Sequence, residues 1–93
     1  MEIGPIRNAL AQGIADNFGT LIADDNADVP FTEISELNFD SLRALEFVEM
    51  VEILFDLQID LYSDDVQTNF RDLNTLALFC KRKLDDAAVL TGA

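Results

Sequence analysis

Histidine is absent from this chain of 93 residues. Its absence removes the commonest general base, the Ser-His-Asp and Cys-His pairings, and most zinc sites. Cysteine occurs once, as Cys80. One thiol makes neither an intramolecular disulfide nor a thiolate cluster, which points to a reducing compartment. Cations are scarce: six Lys and Arg stand against eighteen Asp and Glu, a formal charge of −12 at pH 7. A nucleic-acid backbone and an anionic membrane surface both call for clustered cations, so neither is an expected partner. A basic protein surface is the expected partner, and self-repulsion favours a monomer. No apolar run approaches the roughly 20 residues that span a bilayer. The opening Met1-Glu2-Ile3-Gly4-Pro5 has no basic stretch leading into an apolar one. The expectation is a cytoplasmic protein with little chemistry in its own side chains.

The apolar share is 49%, normal for a globular chain. Its length suits one domain over 1–93, with a folded core over about 5–84 and a flexible tail over 85–93. Ile6, Leu10, Ile14 and Phe18 recur every four residues and predict a first helix from Pro5 to Phe18, ended by Gly19. Gly13 weakens that pattern. Residues 19–39 read as a long connection rich in turn formers, needing apolar anchors. Val29, Phe31, Ile34, Leu37 and Phe39 are the candidates, with a helical turn over 32–36. A second helix is predicted from Ser41 to Phe55 or Leu57, with Asp40 as its N-cap. Ala44, Phe47, Val48, Val51, Leu54 and Phe55 fall on one side of it, and Met50 borders them. On the other side Leu42, Leu45 and Ile53 interleave with Glu46, Glu49 and Glu52. Two readings stand for that side: a protein-binding surface, or the ordinary scatter of exposed leucines. Residues 58–70 read as a loop holding a short third helix over 64–68, anchored by Ile59, Leu61 and Val66. A fourth helix is predicted from Leu73, capped by Asp72, with Leu76, Ala77, Cys80 and Leu84 inward and Lys81, Arg82 and Lys83 in its last turns. The fold class is therefore all-α: a small four-helix bundle with a long first loop and a short third helix.

Where the long loop meets the second helix stands Leu37-Asn38-Phe39-Asp40-Ser41-Leu42. This stretch resembles the phosphopantetheine attachment motif of acyl and peptidyl carrier proteins, usually Leu-Gly-x-Asp-Ser-Leu. The similarity extends through Ser41 to Val48, to Phe55 followed by Ile59, and to Phe70-Arg71-Asp72-Leu73 followed by Leu76-Ala77. It implies an acyl-carrier-type bundle whose Ser41 receives 4′-phosphopantetheine from coenzyme A through a phosphopantetheinyl transferase, with Asp40 recognised by that enzyme. It also implies docking of loading enzymes, synthases or a thioesterase, through basic patches, on Leu42, Arg43, Leu45, Glu46, Glu49, Glu52 and Ile53. Between Ala44 and Phe70 there are seven acids and no base, in keeping with an acidic docking side. The position suits the role physically, because a hydroxyl in the first helical turn lies beside unsatisfied N–H groups and the positive end of the dipole. A carrier needs no catalytic residues: its cofactor supplies the reactive atom and its partners the catalysis.

Four departures from the family pattern are visible. Asn38 replaces the usual glycine, and Asn tolerates a left-handed φ. Phe39 is bulky, Asp60 stands where a proline is common, and Arg43 is unusual for a housekeeping fatty-acid carrier. They lean toward specialised biosynthesis, polyketide or hybrid. Asp before the serine leans toward acyl rather than aminoacyl or peptidyl cargo. Two readings lie outside the family. An unmodified interaction module shares the bundle. A calcium loop is suggested by Asp24, Asn26 and Asp28, but Val29 and Ser35 stand where its turn glycine and bidentate glutamate belong.

Overall fold

Ile6, Leu10 and Ile14 lie on one stripe of the first helix, and all three are fully buried. The computed structural model describes residues 2–90, with side chains through 87. Helix α1 runs Ile3–Phe18, two residues earlier than the proline suggested. Pro5 sits in the first turn, where its missing N–H costs nothing. Gly19 closes the helix with φ 71°, its N–H donating to the Ala15 carbonyl at 3.0 Å. Helix α2 spans Ser41–Phe55, α3 Val66–Asn69 and α4 Leu73–Leu90. The described residues contain no strand. Together they form a small all-α bundle in which α1 packs on both α2 and α4, and α3 on α4.

Gly13 has a packing reason to interrupt α1. A Cβ there would meet Leu54 Cδ1 at 2.8 Å and Met50 Sδ at 3.2 Å, so α2 lays these side chains across a bare backbone. Leu54 was expected in the core. It lies instead over this glycine at the helix–helix edge, 41% exposed, while Phe47, Val48, Met50 and Val51 fill the interior.

The long loop is held, not slack. It is wound into three 3₁₀ turns, Asp24–Asn26, Phe31–Glu33 and Ser35–Leu37. The last two replace the single turn expected over 32–36. Phe31 and Leu37 are fully buried, and Ile34 and Phe39 pack against the core. Ile22 and Ala27 are buried anchors that the sequence pattern did not single out. Backbone bonds tie the loop to the start of α4: Phe31 N–H to the Arg71 carbonyl at 2.8 Å, and Asn74 N–H to the Ala27 carbonyl at 3.0 Å. The Asn74 side chain also accepts from Arg7 at 3.2 Å and donates to Asp28 at 2.6 Å.

Phe47 is the hub of the core. Its ring stacks on Phe18 at 4.8 Å and meets Phe31 and Phe39 edge-on at 5.1 and 5.0 Å. Phe31 and Phe39 touch each other at 5.3 Å. One cluster thus joins the end of α1, the loop and the start of α2. Aromatic pairs of this geometry contribute about 0.5–1.5 kcal/mol each beyond the area they bury.

Helix α4 starts at Leu73, with the buried Asp72 carboxylate accepting the Thr75 N–H at 2.7 Å. It continues over 85–90, where a frayed tail was expected, so Lys81, Arg82 and Lys83 lie mid-helix rather than in its last turns. A Lys81–Asp85 pair at 2.7 Å, four residues apart, supports that extension. The remainder of the expected tail, 91–93, lies outside the described residues. Phe79, which the 3.6-residue pattern of α4 does not place inward, is buried against Phe70 at 5.8 Å. Cys80 is fully buried, and desolvation pushes its thiol pKa up to about 12, so the folded chain presents no reactive thiol from it.

Truncating the hub tests this arrangement. Phe47→Ala should lower the unfolding free energy by about 3–5 kcal/mol, read as a lower urea midpoint at unchanged slope. A loss under about 1 kcal/mol would show that the cluster does not organise the core.

Candidate functional site

The approach to α2 is built residue by residue. Leu37 is locked in the core, and Asn38 then turns the chain with φ 48° and ψ 48°, the left-handed region that a glycine would occupy without strain. Phe39 plugs into the aromatic cluster. Asp40 is extended, and its Oδ1 accepts the Arg43 N–H at 2.8 Å while its carbonyl accepts the Ala44 N–H at 2.9 Å. A cap of this kind is worth about 0.5–2 kcal/mol. Ser41 follows as the first residue of α2 and is exposed. Its hydroxyl hydrogen-bonds no other described residue, and the N–H groups of Ser41 and Leu42 point out of the helix start without intrahelical partners. An anion esterified to this hydroxyl would meet two donors and the positive end of the dipole.

Beside Ser41 lies an open groove of about 590 Å³ between α2 and α3. Its apolar lining comes from Phe39, Ala44, Leu45, Leu61, Val66 and Phe70. Asp40, Asp65 and Tyr62 are among its polar members. Leu61 was expected as a core anchor and Val66 with it. Leu61 is 54% exposed on the wall of this groove, whereas Val66 is half-buried and packs against the core as well as lining the groove. Tyr62, at the rim, is 97% exposed. The groove itself was missed in the sequence. The only available signal was that Leu61 and Tyr62 stand in a polar turn with no periodic partner.

The turn carrying Leu61 and Tyr62 is braced from several sides. The Asp60 carboxylate accepts the N–H groups of Tyr62 and Ser63 at 2.8 and 3.0 Å. Asp60 N–H donates to Asp64 Oδ2 at 2.8 Å, and Lys83 Nζ reaches the same oxygen at 3.0 Å from α4. Glu52 Oε2 accepts the Ile59 N–H at 2.9 Å. Asn69 donates to the Asp64 carbonyl at 2.7 Å. Asp65, left-handed at φ 48°, caps α3, which starts two residues later than expected because residues 60–65 are committed to this turn.

The residues expected on the docking side separate into two groups. Leu42 and Ile53 are 67% and 82% exposed, and Leu45, Glu46 and Glu49 are exposed beside them. Glu52 is half-buried and engaged with Ile59. Arg43 lies over the Phe18 ring at 4.8 Å and pairs with Glu46 at 3.6 Å, so its charge is directed along the protein surface. Of the three calcium-like positions, Asp24 and Asn26 lie in the first 3₁₀ turn and Asp28 accepts from Asn74. Among the described residues no group of three or more Asp, Glu or Cys could hold a metal ion. No helix among them is long and apolar enough to cross a membrane. No protein-family model, curated protein or solved structure matches this chain.

The brace has a defined acid limit. Backbone N–H groups of Ser63 and Tyr62 hold the Asp60 carboxyl below its ordinary 3.8. For Asp64, burial pushes the carboxyl up, but the Asp60 N–H and Lys83 together outweigh it and the net shift is also down. Depressed folded values mean stability that is complete above the ordinary value and lost as pH falls through the folded ones. Acid unfolding followed by circular dichroism should therefore show a loss below pH 3.8 that Asp64→Asn flattens. An identical acid profile in the variant would contradict the role given to this carboxylate.

Proposed function

We propose that this chain is a stand-alone carrier that holds acyl intermediates as thioesters on a 4′-phosphopantetheine arm attached to Ser41. The observation that carries the reading is an exposed, unbonded hydroxyl at the first position of α2, capped by Asp40 and opening onto the groove. The residues present fit the group. The Ser41 and Leu42 N–H groups would hold its phosphate, and Leu45, Leu61 and Val66 would offer an apolar bed for its chain. In the transfer, the Ser41 oxygen forms a P–O bond to the pantetheine-bearing phosphorus of coenzyme A. The pyrophosphate bond breaks, adenosine 3′,5′-bisphosphate leaves, and the serine proton passes to a phosphopantetheinyl transferase. When bound, the arm supplies a thiol on which acyl groups ride. The buried Cys80 leaves that thiol without a competitor from the chain.

Everything else the chain contributes is presentation. Leu42, Leu45 and Ile53 with Glu46 and Glu49 form an exposed acidic-apolar strip on α2, suited to basic patches on a loading enzyme, a synthase or a thioesterase. Arg43 and Glu52, engaged within the chain, shape the strip rather than contact the partner. The chain itself is not an enzyme in this reading, and the reducing cytoplasm is its place of work. The departures at Asn38, Phe39 and Arg43 favour polyketide, fatty-acid-like or other specialised biosynthesis. An aminoacyl or peptidyl carrier is the second reading, favoured by the acidic rim of the groove.

Incubation with coenzyme A and a permissive transferase should add one phosphopantetheine to the intact mass of the wild type and none to Ser41→Ala. A wild type left unmodified by several transferases would favour an unmodified interaction module. Glu46→Lys combined with Glu49→Lys should slow acyl transfer to basic partners at low salt with the helical signal unchanged. Equal rates would remove electrostatics from docking.

A further inference from the structure

Tyr62 is the single tyrosine of the chain, and its side chain has no part in the core or in holding an arm. At 97% it is the most exposed large apolar residue among those described. A ring in water at the tip of a slack loop would call for no explanation. This ring stands on a turn tied down by hydrogen bonds. Its own N–H donates to the Asp60 carboxylate at 2.8 Å, the Asp64 N–H donates to the Asp60 carbonyl at 3.0 Å, and Lys83 ties Asp64 to α4. Ordering such a turn costs conformational entropy at each residue, and the ring recovers none of it by packing within the chain. Leu45 and Leu61, 45% and 54% exposed, line the same groove as Tyr62 and Ser41. Residues 60–65 carry three carboxylates and no cation.

Building on the carrier reading of Ser41, we infer that Tyr62 is an anchor for the enzymes that act on Ser41, its ring entering an apolar notch rimmed by Lys or Arg on the protein partner. Because Tyr62 and Ser41 border one groove, an enzyme that reaches the hydroxyl covers the ring as well. The acidic-apolar strip lies on α2 alone, and a partner held by one helix face can still slide or rock along it. Tyr62 adds a second point of attachment on a different element, which fixes the approach. A tyrosine ring buries about 150–250 Å² and has few torsions to freeze. Its turn is already ordered, so little more is lost on contact. Tyrosine is also among the residue types that most often dominate binding at an interface. The negative charge of the turn calls for cations around the notch. It also disfavours a second copy of this chain, which carries −12 itself. The arm has its apolar bed on Leu45, Leu61 and Val66, inside the rim on which Tyr62 stands.

A permissive phosphopantetheinyl transferase is the probe, assayed at saturating coenzyme A. Tyr62→Ser should raise its KM for the carrier about tenfold with kcat unchanged. Tyr62→Phe keeps the ring and should stay within about twofold of the wild type. Leu78→Ser, an equally large loss of exposed apolar surface on α4, should leave KM where it was. All three positions face solvent or keep their bulk, so the urea midpoints should agree with the wild type. In Ser41→Ala with its tyrosine isotopically labelled, adding the transferase should shift the Tyr62 ring resonances. An unchanged KM in Tyr62→Ser, an equal rise in Leu78→Ser, or an unmoved ring would overturn the inference while leaving the carrier reading intact. A ring that shifts as far on arm attachment alone would give it to the arm, and a dimer abolished by Tyr62→Ser would give it to a second copy; either overturns the inference. A wild type left unmodified at Ser41 would overturn the carrier reading and this inference with it.

Discussion

The contact between Phe47 and three other phenylalanine rings is the constraint on which the rest of this small bundle depends. Phe18 brings the end of α1 to it, Phe31 the middle of the long loop, and Phe39 the residue before Asp40. Without that anchor, the twenty-odd residues between α1 and α2 would have no reason to deliver the chain to one point. With it, the left-handed turn at Asn38 and the cap at Asp40 follow in sequence, and α2 begins at Ser41. The exposure of one hydroxyl is thus a consequence of buried aromatic packing two and six residues away. Phe39, held between Phe31 and Phe47, fixes the residue directly before the Asp40 cap.

Much of the architecture was legible because it is periodic or punctuated. Ile6, Leu10 and Ile14 announce the buried stripe of α1, Gly19 its end, and Asp40 and Asp72 the starts of α2 and α4. What stayed hidden depends on contacts between distant segments. Gly13 reads as a weak point in a helix until Leu54 is seen lying across it. Ile22 and Ala27 carry no pattern of their own and are buried only because Asn74 and Arg71 hold the loop against α4. Leu61 looks like a core anchor, since hydrophobicity alone does not distinguish a core position from a groove wall. Glu52 looks like one more solvated acid, and only the fold gives it the Ile59 N–H to accept. The candidate site divides in the same way. Asp40 and Ser41 are readable in the sequence, and the groove beside them is a property of how α2 and α3 are spaced.

A chain with no histidine and a single buried cysteine has few ways to do chemistry alone. The carrier reading turns that poverty into a requirement. A carried thioester survives best where no base or competing thiol stands near it. In the same reading the acidic surface gives encounter speed and orientation without a tight complex that would have to be undone.

The most direct measurement is peptide mapping by tandem mass spectrometry on the protein recovered from the cells that make it. We expect the peptide containing Ser41 to bear a phosphopantetheine that is ejected on fragmentation, with every other serine and threonine bare. A Ser41 peptide of unmodified mass throughout, or an arm found on another residue, would contradict the assignment of this hydroxyl as the tether point.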